Sequence, residues 1–331
     1  MRFRNFMEKR YKIAIDVMGS DAGSAMVVKG AKLALEKRAE LDVLLVGCEA
    51  EILAACDECG IDMSRVEILG ASEVITNYDS PATALFTKTD SSLVKALEAA
   101  ATRDDIVGLV NAGSTGALIA GTMRYLSRAD RVRPALAATL PSEKGGFVCM
   151  VDTGATIDCG ASTLLHFARL GSEFMKTTYK IDSPKVALLS NGKEETKGNK
   201  VVKEAFGLLS AEESINFIGN VEGTNALSGD CDVLVCDGFA GNQVLKVTEG
   251  TARRIITDIV KLAKKTGKKE YMEVVGYLME LYDFNSLGGG IILGAAKPVV
   301  KAHGASNEKS IMNVTDMVLN MAENKEAFAD R

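Results

Sequence analysis

Short apolar runs alternate along the chain with amphipathic stretches. KIAIDVMG reads as a strand ending near Val17, followed by a Gly-rich turn and a helix from about Ala25 to Lys37. LDVLLVG predicts a second strand and EILAACDECG the next helix. DIVGLVNAGSTGALIAGTMRYL predicts strand, loop and helix. FVCMVDTGATIDC predicts a strand and its loop, with a helix over STLLHFARLGSEFMK. The plan recurs in PKVALLSNGKEETKGNKVVKEAFGLL and in CDVLVCDGFAGNQVLKVTEGTARRII. Apolar strands alternating with helices predict an α/β fold, a mainly parallel sheet with helices on both faces. After an N-terminal extension over 1–12, a single α/β domain is expected over 13–331.

Residues 250–283 break the alternation. RRIITDIVKLAKK and KKEYMEVVGYLMELY predict a protruding helical hairpin joined around Thr266 and Gly267. Ile255, Ile256, Ile259, Val260, Leu262 and Ala263 supply an apolar stripe, while Lys261, Lys264, Lys265, Lys268 and Lys269 crowd the turn. A packed hairpin with a solvated face, a subunit interface and a contact with anionic lipid all fit this pattern.

Parallel sheets bind ligands beyond the carboxyl ends of their strands. The strand-end loops here share one composition: MGSDAG (18–23), NAGSTG (111–116), DTGATIDC (152–159), SNGKEETKGN (190–199), CDGFAGN (236–242) and KAHGASN (301–307). Glycine lets backbone N–H groups approach an anion, and a following helix N-terminus adds positive potential. The loops are expected to build one phosphate-type site.

Composition narrows the classes. With 39 basic and 44 acidic side chains, the net charge of −5 disfavours broad nucleic-acid binding. No apolar run is long enough for a membrane-spanning helix, and the basic start MRFRNFMEKRYK does not read as a secretory signal. Seven cysteines, an odd number, do not suggest a disulfide framework, so a cytoplasmic location is expected. Two histidines, His166 and His303, exclude a multi-histidine metal site. No GxGxxG follows a strand and no GxxxxGK[ST] occurs, so neither dinucleotide fingerprint nor P-loop is present. Cys56 and Cys59 fall on an amphipathic helix without a second pair to complete a zinc site.

His166 lies among apolar residues of a helix, whereas His303 lies in a strand-end loop between Lys301 and Ser306–Asn307. Asp16, Asp21, Asp152, Asp158 and Asp237 fall at or near strand ends, where such residues can bind Mg²⁺, accept from a ligand or hold loops together by accepting from backbone N–H groups, and loop structure is expected for most of them. Lys197, near a helix start, is not favoured by the helix dipole, and an anionic ligand would offset that cost. The amide of Asn242 is suited to donate to a developing oxyanion.

At these loops the sequence resembles a known family, the bacterial fatty-acyl-ACP:phosphate acyltransferases of phospholipid synthesis. The matching segments are IAIDVMGSD, EVITNYDSPATAL, KTDSSL, NAGSTGAL, DTGATIDC, EETKGN, FIGNVEG, LSGDCDVLVCDGFAGN and KAHGASN, from near residue 13 to near residue 315. The chain departs from the family pattern at Ser20, Ala22, Phe86, Thr87, Ser114 and Thr156. The resemblance implies an isopropylmalate dehydrogenase-like fold, shared with phosphate acetyl- and butyryltransferases. It also implies transfer of a long-chain acyl group from acyl carrier protein to inorganic phosphate, with no cofactor or metal. Lys197 and Asn242 become the main catalytic pair, with His303 beside them. Gly19, Asp21, Ser114, Thr115, Asp158, Asn199, Asp237, Lys301, Ser306 and Asn307 become substrate-binding or pocket residues. A homodimer, peripheral lipid contact through the hairpin and a downstream glycerol-3-phosphate acyltransferase are further implications.

The chemistry suits this inventory. Phosphate is already an anionic nucleophile, and a thiol with a pKa of about 8.5 is a good leaving group. Direct attack then needs positioning and a stabilised oxyanion, without a Ser-His or Cys-His pair. Competing readings are a short-chain acyl-CoA phosphate acyltransferase, a metal- and NAD-dependent decarboxylating dehydrogenase, and a non-catalytic relative that binds acyl carrier protein or lipid. The paired substrate-arginine motif expected of the dehydrogenase is absent.

Overall fold

The structure is a computed structural model that describes residues 9–128, 133–282, 289–303 and 306–329. Residues 1–8 of the expected extension, Asp283 at the hairpin's end, and Gly304 and Ala305 in the last loop lie outside the described residues. The chain forms two compact units, Met1–Pro134 with Gly288–Arg331, and Ala135–Leu287.

The first unit begins with β1 (Tyr11–Asp16), α1 (Ser24–Lys37), β2 (Leu41–Gly47), α2 (Glu49–Cys59) and β3 (Val66–Gly70). It continues through α3 (Pro81–Thr87), α4 (Ser92–Thr102), β4 (Ile106–Asn111) and α5 (Thr115–Tyr125). The second unit follows with β5 (Ala135–Pro141), β6 (Phe147–Val151), α6 (Ala161–Tyr179), β7 (Lys185–Ser190) and α7 (Lys200–Ser210). It ends with β8 (Asn216–Glu222), β9 (Val233–Val235), α8 (Gly238–Thr266) and α9 (Glu270–Leu281). The chain then returns to the first unit as β10 (Gly290–Leu293), β11 (Val299–Lys301) and α10 (Glu308–Ala329).

In the first unit the strand order is β3-β2-β1-β4-β11-β10, parallel except for the β10–β11 pair. Ile13, Ala14, Ile15 and Val17 have no exposed surface, so β1 is covered on both faces, as its unbroken apolar run predicts. Helices α1, α2 and α10 pack together, as do α3, α4 and α5. In the second unit the order is β5-β6-β9-β7-β8, antiparallel only at β5–β6. Helix α6 packs on β5, β6, β7 and β9. Ala240, Val244 and Leu245 of α8 pack on a core built from Leu140, Met150, Ala187 and Leu234.

Two boundaries differ from the sequence reading. β1 begins at Tyr11, one residue before the strand read over KIAIDVMG, so Tyr11 and Lys12 of the expected extension belong to the sheet, where they pair in register with Leu41 and Asp42. The first arm of the hairpin does not start at residue 250: α8 is one helix of 29 residues from Gly238, capped at its end by Gly267 with φ +69°. The turn itself lies where Thr266–Gly267 predicts it.

Buried polar bonds tie together the strand ends of the first unit. Asp16 at the end of β1 accepts from Met18 N at 3.0 Å and from Asn111 Nδ2 at 2.7 Å. Asn111 Oδ1 accepts from Gly113 N at 3.0 Å, and its carbonyl accepts from Ala302 N at 2.7 Å. Lys301 is buried, and its ammonium donates to the Ala302 carbonyl. Burial raises the Asp16 carboxyl to about 6, against the pull of its hydrogen-bond donors. Burial lowers the Lys301 amine to about 8, against attraction from Asp16 and Asp21.

A second tie joins α1 to α10. The Arg38 guanidinium donates to Glu40 at 2.7 Å, Asp316 at 2.6 Å, Asn320 at 2.9 Å and Glu323 at 2.8 Å. Arg38→Ala is expected to cost about 2 kcal/mol, between the exposed and fully buried limits for ion pairs, as measured by chemical denaturation. Lys301 predicts a pH dependence. Its folded amine titrates near 8 and its unfolded amine at 10.5, so between these values the unfolded chain holds the extra proton and stability rises with pH. Thermal melts of the native chain and of Lys301→Met from pH 8 to 10.5 check this: the native chain should gain relative to the variant.

Candidate functional site

The strand-end loops gather by unit. In the second unit, those of the adjacent parallel strands β6, β9 and β7 line a cavity of about 650 Å³. Asp158 and Cys159 come from the first loop, Ser190, Asn191, Gly198 and Asn199 from the β7 loop, and Cys236, Asp237 and Ala240 from the entry to α8. Leu164, Leu188 and Val202 are among its apolar walls.

The first of these loops is wound around one carboxylate. Asp152 Oδ1 accepts from the N–H groups of Leu136, Gly154 and Ala155 at 2.9, 3.2 and 3.0 Å, and Oδ2 from Thr156 at 2.6 Å. Burial raises its pKa, and those four donors oppose the rise. The Thr156 carbonyl then accepts from Gly238 N at 2.8 Å, docking the loop on the first turn of α8. A Cβ on Gly241 would sit 1.9 Å from the Asp152 carbonyl oxygen, so only glycine lets the helix come this close. Cys236 donates to that same oxygen at 3.3 Å, and burial pushes its thiol well above the ordinary value. It stays protonated and is not a nucleophile.

The β7 loop closes on itself. Asn191 Oδ1 accepts from Gly198 N at 2.8 Å, where φ is +94°, a conformation that favours glycine. Asn220 Nδ2 donates to the Glu194 carbonyl at 2.9 Å, and Lys197 N donates to the same carbonyl at 3.0 Å. The aliphatic stem of Lys197 lies over Gly192, where a Cβ would come 2.6 Å from its Cγ. Lys197 is exposed, immediately before Gly198 and Asn199 of the cavity wall.

Two helices begin at this cavity. Asn199 Oδ1 caps α7 by accepting from Val202 N at 2.9 Å, and Asp237 Oδ1 caps α8 by accepting from Ala240 N at 2.7 Å. Each cap satisfies the third helical N–H. The N–H groups of Lys200, Val201 and Phe239 have no acceptor within their own helices. Of these residues Val201 lines the cavity, and the first turns of both helices lend it positive potential, an arrangement that suits an anion.

Of the residues expected from sequence, Asp158, Asn199 and Asp237 therefore meet at one cavity. Lys197 and Asn242 do not line it. Asn242 is half-buried in α8, two residues beyond Ala240. The first unit holds the others, at the ends of β1, β4 and β11. A Cβ on Gly19 would lie 3.1 Å from Gly113 Cα, so these two loops touch through their backbones. Ser114 caps α5, in which Thr115 is the first residue, and Asn307 Oδ1 accepts from Ser310 N at 2.9 Å at the start of α10. Lys301 and Ser306 are buried, and Ser306 Oγ has no hydrogen-bond partner among the described residues. Gly19, Asp21 and His303 are exposed. Sequence reasoning held Ser190 and Asn191 only as part of the 190–199 loop and did not single them out as cavity residues. Their signal was position: the last residue of an apolar strand and the one after it.

Among the described residues no helix is long and apolar enough to cross a membrane. The fatty acid synthesis protein family matches residues 11–328. A phosphate acyltransferase of Lactococcus lactis subsp. cremoris (strain SK11) is 40% identical over 319 residues, covering 94% of this chain and 95% of its own. Among solved structures, a phosphotransacetylase from Streptococcus pyogenes is similar with a TM-score of 0.62 at 16% identity, covering 96% of this chain and 94% of its own. A 4-hydroxythreonine-4-phosphate dehydrogenase from Klebsiella pneumoniae is similar with a TM-score of 0.55 at 12% identity, covering 94% of this chain and 99% of its own. These two likenesses show the fold alone, and it is the dehydrogenase-like α/β fold expected from the sequence. Family and relatives together show that the chain belongs to the fatty acid synthesis protein family and is an acyltransferase that moves acyl groups to phosphate.

Proposed function

We propose that the acyl donor is a long-chain fatty acyl thioester of acyl carrier protein and that the product is the acyl phosphate. The observation that carries the phosphate half is the cavity onto which two helix N-termini open. A phosphate oxygen attacks the thioester carbonyl carbon, the carbonyl oxygen becomes an oxyanion, and the C–S bond breaks. The proton that phosphate carried passes to the departing thiolate. Lys197 offsets the charge of the incoming phosphate from the rim of the β7 loop, and Asn242 donates to the oxyanion from α8. Burial keeps the Cys236 thiol protonated, so Cys236 is unsuited to form a cysteinyl intermediate.

The exposed apolar residues Ile255, Leu262, Met272, Tyr277 and Met279 on α8 and α9 support either pairing of two copies or peripheral lipid contact at the hairpin. An acyl phosphate is a reactive mixed anhydride, which fits a glycerol-3-phosphate acyltransferase as the consuming enzyme.

Incubation with palmitoyl-acyl carrier protein should release free acyl carrier protein only when phosphate is present, with acyl phosphate formed in equal amount. Faster acyl phosphate formation from acetyl- or butyryl-CoA would replace this reading with the short-chain one. Asn242→Ala and Lys197→Ala should each lower turnover at least tenfold; loss of one oxyanion donor typically costs about 3–4 kcal/mol of barrier. Unchanged thermal melts would show that both variants are folded, and near-native turnover in a folded Lys197→Ala chain would remove Lys197 from the mechanism.

A further inference from the structure

Neither α3 (PATALFT) nor α5 (TGALIAGTMRY) contains an acidic residue, in a chain whose net charge is −5. The two helices pack closely because Gly121 leaves room: a Cβ there would sit 2.4 Å from Leu97 Cδ1 and 3.5 Å from Leu85 Cδ2. Their outer side holds Phe86, 65% exposed, and Met123, 47% exposed. The Arg124 guanidinium carbon lies 3.7 Å from the centroid of the Phe86 ring. Arg124 is exposed and makes no hydrogen bond or ion pair among the described residues. The flanking charges are already spent on each other: Lys88 donates to Asp79 at 2.8 Å, and Asp79 also accepts from Thr76 N at 2.7 Å.

Aromatic rings, methionine and arginine are the residue types that anchor protein interfaces. Stacking on Phe86 holds the guanidinium without using its N–H groups, so its fork is preset for a carboxylate. Charge decides what covers this face. A second copy meeting it by two-fold symmetry would set the same patch against itself, two guanidiniums with no carboxylate on α3 or α5 to pair them. An anionic lipid surface is held by clusters of basic side chains, and α3 and α5 together carry one. A protein helix with an apolar side and a carboxylate meets both halves. Building on the reading of the donor as a carrier-bound thioester, we propose that this face docks the acyl carrier protein: an acidic helix of the carrier seats its apolar side on Phe86 and Met123, and one of its carboxylates takes the Arg124 fork. Phe86 and Arg124 hold the carrier and take no part in bond breaking.

The test is binding of palmitoyl-acyl carrier protein to the full chain by fluorescence anisotropy, with no phosphate present. Arg124→Ala should weaken binding at least tenfold, and Phe86→Ala about fivefold. Arg124→Lys should recover little, since an ammonium lacks the fork. Met123→Glu, which sets a carboxylate on the face, should weaken binding about tenfold. In turnover these variants should raise the KM for the carrier and leave kcat and the phosphate KM within about twofold. The replaced side chains are exposed, so thermal melts should match the native chain. Native carrier affinity in both Arg124→Ala and Phe86→Ala would overturn the proposal. So would a smaller species in sedimentation of Arg124→Ala, which would put a second copy on this face. So would loss of binding to phosphatidylglycerol vesicles in Arg124→Ala with carrier affinity unchanged. Arg124-dependent carrier binding with no acyl phosphate formed would remove the reaction and keep the docking face. Acyl phosphate formed from the carrier with native KM in every variant would remove the docking face and keep the reaction.

Discussion

A helix cannot satisfy its own first N–H groups, and the structure turns on where those groups point. Parallel strands feed into helices at their carboxyl ends, so each βα junction brings uncommitted donors to the same edge of its sheet. A capping oxygen takes the third N–H and leaves the earlier ones. Ser114, Asn199, Asp237 and Asn307 all do this. Their side-chain oxygens are spent on the helix, and what they contribute to a ligand is the exposed donor row beside them.

This division of labour explains how a cavity suited to an anion tolerates acidic residues. Asp152 and Asp237 are acceptors for backbone donors, so part of their charge is neutralised inside the loops they organise. Gly241 lets α8 close on the Asp152 carbonyl, which fixes the entry to α8 against the loop that Asp152 winds. The chemistry is correspondingly simple. A nucleophile supplied by the substrate needs placement and charge compensation, and the protein provides those through backbone geometry rather than a reactive side chain.

The alternation of apolar runs and amphipathic stretches was enough to read β1, β2, β4, β6, β7 and β9 and most of the helices, because strands buried on both faces leave an unbroken apolar signature; β3, β5, β8 and β10 were not read. The loops were equally legible in kind: glycine with Asp, Asn and Ser directly after β6, β7 and β9. Their inner bonds were not. Nothing in the spacing says that Asp152 serves four N–H groups, or that Asp158, six residues later, serves none among the described residues. Ser190 was hidden for a similar reason, since a serine ending a strand has the same local signature whether its hydroxyl is bonded or orphaned. The start of α8 was obscured by the change in character along it, apolar packing near Val244 giving way to an exposed lysine-rich end.

That continuity of α8 has a mechanical meaning. At 1.5 Å per residue its 29 residues form a rod about 43 Å long, with the capped turn at Asp237 at one end and Gly267 at the other. A rod of backbone hydrogen bonds has no joint, so a tilt imposed near Gly267 is delivered as a tilt at Phe239 unless bonds along the way break. Whatever holds the far tip in place also sets the aim of the donors at the cavity.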